Sequence, residues 1–200
     1  MATIPFPSVS QLYAPRGALF FTQGTSWLSR AIRWVERDKD EAKSWTNHVG
    51  LVTFEGYITI PPDGIGATVS EALWHIKEHS WWQAHGGEIT SIAVFAPRGV
   101  SHAQISRIIG NARTRTGNRY AWWRLPGYLI ERFTKIKVSK AFFLKDRNVC
   151  SNHAALALEA AGIRFPEPAG QLDPDEMMDY CLAHPDEWDF IGWSEVGHEG

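Results

Sequence analysis

The segment Ile89 to Ala96 (ITSIAVFA) constrains the fold more than any other stretch of the chain. It is apolar, rich in β-branched and aromatic residues, too short for a buried helix, and closed by Pro97-Arg98-Gly99, so it reads as a strand. Directly after it, Ser101 and Gln104 form a capping box ahead of Ile105, Ile108, Ile109 and Ala112, whose spacing predicts a helix. Two further apolar runs, Ala18–Thr22 and His48–Phe54, read as strands, and a third covers Thr68–Leu73. Ser26 caps a predicted helix carrying Trp27, Leu28, Ala31, Ile32 and Val35. Cys150 opens the alanine-rich run CSNHAALALEAAG, which Gly162 ends. Asp173-Pro174-Asp175-Glu176 starts a last helix, which stops before Pro185. Helices and strands do not alternate regularly. The expected class is therefore α+β, a small antiparallel sheet packed against helices.

At 200 residues the chain reads as one domain, 1–200, with about 15 N-terminal residues as an arm. A hydrophobic share of 44% against 21% charged excludes wholesale disorder. Net charge is −2, which does not suggest a nucleic-acid binder. Cys150 and Cys181 are too few for a disulfide scaffold, and a reducing compartment is the simpler reading. The opening MATIPFPSVSQLYAPRG has no signal-peptide pattern and no membrane-length apolar run exists, so the expectation is a cytoplasmic protein unless a non-standard route exports it. Charge is nevertheless uneven. Eleven Lys or Arg lie between Arg107 and Arg147 against two acids, and ten acids follow Arg164 with no further Lys or Arg. Such a basic aromatic stretch suits an anionic polymer such as peptidoglycan or a lipid headgroup, as well as an ordinary solvated helix face.

Three local patterns point to chemistry. In Asn47-His48-Val49-Gly50 a histidine stands at the mouth of a strand; in Val69-Ser70-Glu71-Ala72 a carboxylate interrupts an apolar strand; in Val149-Cys150-Ser151 a thiol begins a helix. A helix N-terminus favours thiolate, which turns a weak nucleophile into a strong one. A histidine is the natural base for it, and a carboxylate behind fixes tautomer and orientation. If the intervening turn centres between residues 59 and 60, paired residues sum to about 119 and His48 faces Glu71 directly.

Taken in order, GALFF, SRAIRWVE, NHVGLV, VSEAL, Tyr120, VCSNHAALALEAAG and LDPDEM resemble the circularly permuted papain-like amidases related to the NlpC cell-wall peptidases, an order shared with lecithin:retinol acyltransferases. The resemblance covers about Arg16 to Asp179. It implies a permuted papain-like fold with Cys150 as nucleophile, His48 as base and Glu71 as the residue that orients His48. It also implies Tyr120, with Asn47 and Ser151 beside the reacting groups, as substrate-binding residues. The activity implied is hydrolysis of a peptide or related amide, of cell-wall type, through a thioester and without metal or organic cofactor. A lipid ester or thioester is the alternative substrate. The chain departs from the family's usual pattern at Asn152 and His153, where an acid and then an apolar residue often follow the Cys-Ser pair.

Competing readings exist for each element. Cys150 and His48, taken singly, are compatible with core packing, and Glu71 with an exposed strand position. A non-catalytic binding module would keep the same pocket. His75-Ile76-Lys77-Glu78-His79 also spells H-x-x-E-H, which on a helix would give a zinc peptidase with His75 and His79 as ligands and Glu78 as base. His85 and His102 read as surface residues, and Cys181 as a packed thiol near Met177 and Met178.

Overall fold

The computed structural model describes residues 8–9, 11–24, 45–58, 66–72, 75–85, 89–118 and 150–195. The helix expected after Ser26, the turn before Gly66, the basic aromatic stretch beyond Asn118 and Tyr120 lie outside them. Among the described residues the strands are β1 (Tyr13–Ala14), β2 (Leu19–Gly24), β3 (His48–Phe54), β4 (Gly56–Tyr57), β5 (Thr68–Ala72), β6 (Ile76–Ser80), β7 (Ile89–Pro97) and β8 (Trp188–Glu195). The helices are α1 (Trp81–His85), α2 (His102–Arg113), α3 (Cys150–Glu159) and α4 (Pro174–Ala183).

Six strands form one antiparallel sheet in the order β6-β5-β3-β2-β7-β8, and β1 pairs with β4 in a second, two-stranded sheet. The fold is α+β, as the irregular order of elements leads one to expect. Strand β2 opens with the apolar run Leu19-Phe20-Phe21, and its neighbour β3 carries Val49, Leu51 and Val52, because both faces of the sheet are covered. On one face Leu19, Phe21, Val49, Leu51, Ala93 and Phe95 meet Ile108 and Ala112 of α2 and Ala154, Ala155 and Leu158 of α3. The alanines of α3 are small enough to lay that helix close over β3 and β5. On the other face Phe20, Val52, Val69, Ile92 and Val94 are covered by Leu12, Ala14, Ile58 and Trp81. Each large apolar side chain so buried contributes about 1.5–3 kcal/mol.

Local chemistry sets the helix ends. Both expected capping boxes are present: Gln104 N–H donates to Ser101 Oγ, and Glu176 N–H to Asp173 Oδ1 at 2.7 Å. Past α3, Gly162 takes a φ of 85°, the left-handed conformation that lets Ile163 N–H reach back to the Leu158 carbonyl.

The register between β3 and β5 differs from the expected one. Leu51 pairs with Ser70 and Val52 with Val69, so paired numbers sum to 121, two more than expected, and a bulge follows at Phe54. Because side chains alternate with period two, this displacement keeps His48 and Glu71 on the same face, now as diagonal neighbours across Gly50. Gly50 is required there: a Cβ on it would lie 2.3 Å from the Phe20 ring and 3.1 Å from Glu71 Cβ.

Candidate functional site

His48 is held by its lead-in. Asp175, in the first turn of α4, accepts hydrogen bonds from Trp45 N–H at 3.1 Å and Thr46 N–H at 3.4 Å. Thr46 Oγ1 donates to the Thr22 carbonyl and accepts from His48 N–H at 3.3 Å. Asn47 Oδ1 accepts from Gly24 N–H at 2.8 Å. These ties fasten the chain just before β3 to the end of β2, so the imidazole leaves the sheet at a fixed angle.

Behind it, Glu71 is fully buried. Its Oε2 takes a hydrogen bond from His48 Nε2 at 2.5 Å. Burial alone would raise the pKa of this carboxyl, but hydrogen bonds from three imidazoles, His48 first, hold it well below the usual carboxylate range. With Nε2 committed to the carboxylate, Nδ1 is the nitrogen left to serve the thiol.

Cys150 is the first residue of α3 and is buried. Its side chain hydrogen-bonds to that of His48, and the backbone N–H groups of Val49 and Ser151 also point to the sulfur. Burial disfavours the thiolate, yet the bond to His48, the imidazole's charge and the two N–H groups bring the thiol below its ordinary value near 9.0. Burial likewise opposes a charged His48. Hydrogen bonds with Cys150 and Glu71, and attraction to both, outweigh it and carry its pKa from 6.5 up to about 10. Both directions favour a thiolate–imidazolium pair over the neutral thiol and imidazole.

The structure thus brings Cys150, His48 and Glu71 into one hydrogen-bonded chain. Asn47 and Ser151 lie beside it but are committed elsewhere: Asn47 to Gly24, and the buried Ser151, whose hydroxyl donates to the Leu172 carbonyl at 2.6 Å. Both side chains serve the framework rather than an open substrate surface. Cys181 is a free, buried thiol among Met177 and Met178, and burial pushes its pKa well up.

Two histidines near Glu71 change the sequence-based picture. The H-x-x-E-H segment is not helical: Ile76–Ser80 is strand β6, and alternation sends its side chains to opposite faces. His75 is exposed. Glu78, across from Ser70, forms a two-point salt bridge with Arg113 of α2 at 2.7 and 2.8 Å. A helical zinc peptidase with Glu78 as base does not fit this segment. His79 instead lies diagonal to Glu71 on the opposite side from His48, and its Nε2 reaches Glu71 Oε1 at 2.5 Å. His85 is not a surface residue either. It sits at the end of α1 with 9% exposure, its ring 4.3 Å from that of Trp81, and its Nε2 is 2.8 Å from the same Oε1. Expected strand spacing, had β6 been recognised, would have placed His79 beside Glu71; nothing local to the sequence marks His85.

No family model matches the chain, and no curated protein matches it. Among solved structures it is similar to one described as the metalloprotein yiiX from Escherichia coli O157:H7, DUF1105, with a TM-score of 0.50 and 19% identity over 77% of this chain and 70% of that one. At that identity the likeness concerns the fold alone.

Proposed function

We propose that the protein is a cysteine hydrolase of the permuted papain-like kind, acting on an amide bond of a peptide or cell-wall type substrate. The observation that carries this reading is the chain Cys150–His48–Glu71, with the sulfur at the start of α3 and backbone N–H groups aimed at it. The Cys150 thiolate attacks the carbonyl carbon; as the C–N bond breaks, imidazolium His48 gives its proton to the leaving amine, and a thioester remains. Water then loses a proton to His48 and attacks the thioester; the C–S bond breaks, the acid product leaves and the thiolate–imidazolium pair is restored. The backbone N–H of Cys150 is the oxyanion donor in this scheme. Glu71 keeps the ring oriented and stabilises its charge. The family resemblance in the motif order supports the same assignment, and a lipid ester is open to the same steps.

The structural neighbour is described as a metalloprotein. In this chain Glu71, His79 and His85 are donors of the type a divalent transition ion takes, two imidazoles and a carboxylate. An ion on them would fix Glu71 from the side of Oε1, leaving bond breaking to the sulfur.

Alkylation by iodoacetamide, followed by peptide mass spectrometry, tests the reading with its own control. Cys150 is expected to label fast at pH 6, far ahead of Cys181, and Cys150 in a His48→Ala variant to slow toward an ordinary thiol. Equal, slow labelling of both cysteines would sink it.

A further inference from the structure

We infer that Glu71, His79 and His85 form a binding site for a divalent transition-metal ion of the zinc class, separate from the sulfur. Three elements supply it: β5 gives Glu71, the edge strand β6 gives His79, and α1 gives His85. Their ligand atoms, one carboxylate oxygen and two Nε2 nitrogens, all lie within 4.8 Å of one another. Orienting His48 needs only one oxygen of Glu71, and Oε2 does that. Oε1 carries the two other imidazoles, at 2.5 and 2.8 Å, inside a layer built from Phe20 and Trp81. Two further rings, His85 buried and His79 partly so, thus converge on one carboxylate oxygen, the clustering on which a shared cation would draw.

The donor set is suited to the ion. Imidazole and carboxylate together hold zinc in catalytic sites and iron in two-histidine, one-carboxylate sites, and such sites keep positions open for water. Ligands about 2.0–2.1 Å from a tetrahedral ion stand roughly 3.3 Å apart, so each Nε2 would part from Oε1 by somewhat under 1 Å. His79 and His85 come from an edge strand and a five-residue helix, where such a shift is least resisted. Bound, the ion would staple β6 and α1 to β5. It would also share Glu71 with His48 while using the other oxygen. This site stands whether or not Cys150 is a nucleophile.

The test uses the full chain without a histidine tag, stripped with chelator and titrated with Co²⁺ and, in competition with a metal-binding dye, Zn²⁺. One ion per chain is expected, with visible ligand-field bands and without the near-ultraviolet charge-transfer band of cobalt thiolate. The melting temperature should rise by about 5–10 °C at roughly a hundredfold excess of metal over Kd. His79→Gln and His85→Gln should each weaken binding by more than the 10–100-fold that loss of an outer partner typically costs, while Cys150→Ala should bind as the parent does. Failure of the parent chain to take up one ion, uptake unaffected by both histidine changes, or a thiolate band lost in Cys150→Ala would each overturn the site. Should a Gln variant not fold, the parent spectrum and Cys150→Ala still decide. Loss of hydrolysis in Cys150→Ala with metal uptake intact separates the two proposals.

Discussion

Two histidines, one on each face of the same sheet, His48 partly and His153 wholly buried, meet opposite fates. His48 faces Glu71 and Cys150, and its pKa is lifted to about 10 despite burial. His153, on α3, is wholly buried against Ser70, whose hydroxyl is 3.0 Å from Nε2, while its Nδ1 has no hydrogen-bond partner. Desolvation, then the repulsion of nearby Arg115, lowers its pKa to about 4. Ser70 and Glu71 are consecutive, so alternation of one strand delivers a neutral hydroxyl to one imidazole and a carboxylate to the other. Desolvation opposes the charge on both. What decides the charge is the partner: a hydroxyl cannot offset the desolvation of an imidazolium, and a carboxylate with a thiolate can.

The contrast can be broken at several points. The largest effect is expected on the charged side: Cys150→Ala should lower hydrolysis, measured as kcat/KM on a peptide amide, by roughly 10⁴-fold or more, with the fold kept. Glu71→Gln comes next, about 10²–10⁴-fold, with the alkylation rate of Cys150 falling alongside; a fully active Gln variant would remove Glu71 from the scheme. On the neutral side the readout is stability. His153 has a lowered folded pKa, so below pH 6.5 the unfolded chain takes a proton that the folded one refuses until about pH 4. Stability should therefore drop by about 3 kcal/mol between those values, seen by urea unfolding at a series of pH values, and His153→Leu should flatten that slope while leaving Cys150 reactive. The smallest change tests the spacing between the faces. Gly50→Ala forces a methyl group into Phe20 and toward Glu71, which should cost about 1–3 kcal/mol and slow Cys150 alkylation as His48 and Glu71 are pried apart.

Much of this arrangement was legible in the sequence where local signals were strong. Both capping boxes, the strand from His48 to Phe54 and the helix that Cys150 opens all rest on residue types whose preferences agree with their surroundings. Those same segments place Cys150 and His48, and the apolar strand from Thr68 places Glu71. Strand β6 was not legible: IKEHS offers one apolar residue in five, since an edge strand buries less and this one gives its inward position to His79. Strand β8, WDFIGWSE, shows no clean alternation of apolar and polar residues; it forms because Trp188 and Trp193 pack against β7's side of the core. His85 depends on where a five-residue helix lands in space, which no periodicity encodes. The pairing sum expected between β3 and β5 lies two below the observed 121, a difference that costs the direct pairing of His48 with Glu71 and spares their contact.

That last outcome has a consequence for how such a chain can vary. A slip of β5 against β3 by two residues preserves parity, so the imidazole and the carboxylate remain on speaking terms. A slip of one would exchange the places of Ser70 and Glu71, delivering acid to the helix side and alcohol to the thiol's base. Drift in this protein should accordingly be restrained more at the register of these two strands than at the length of the link between them.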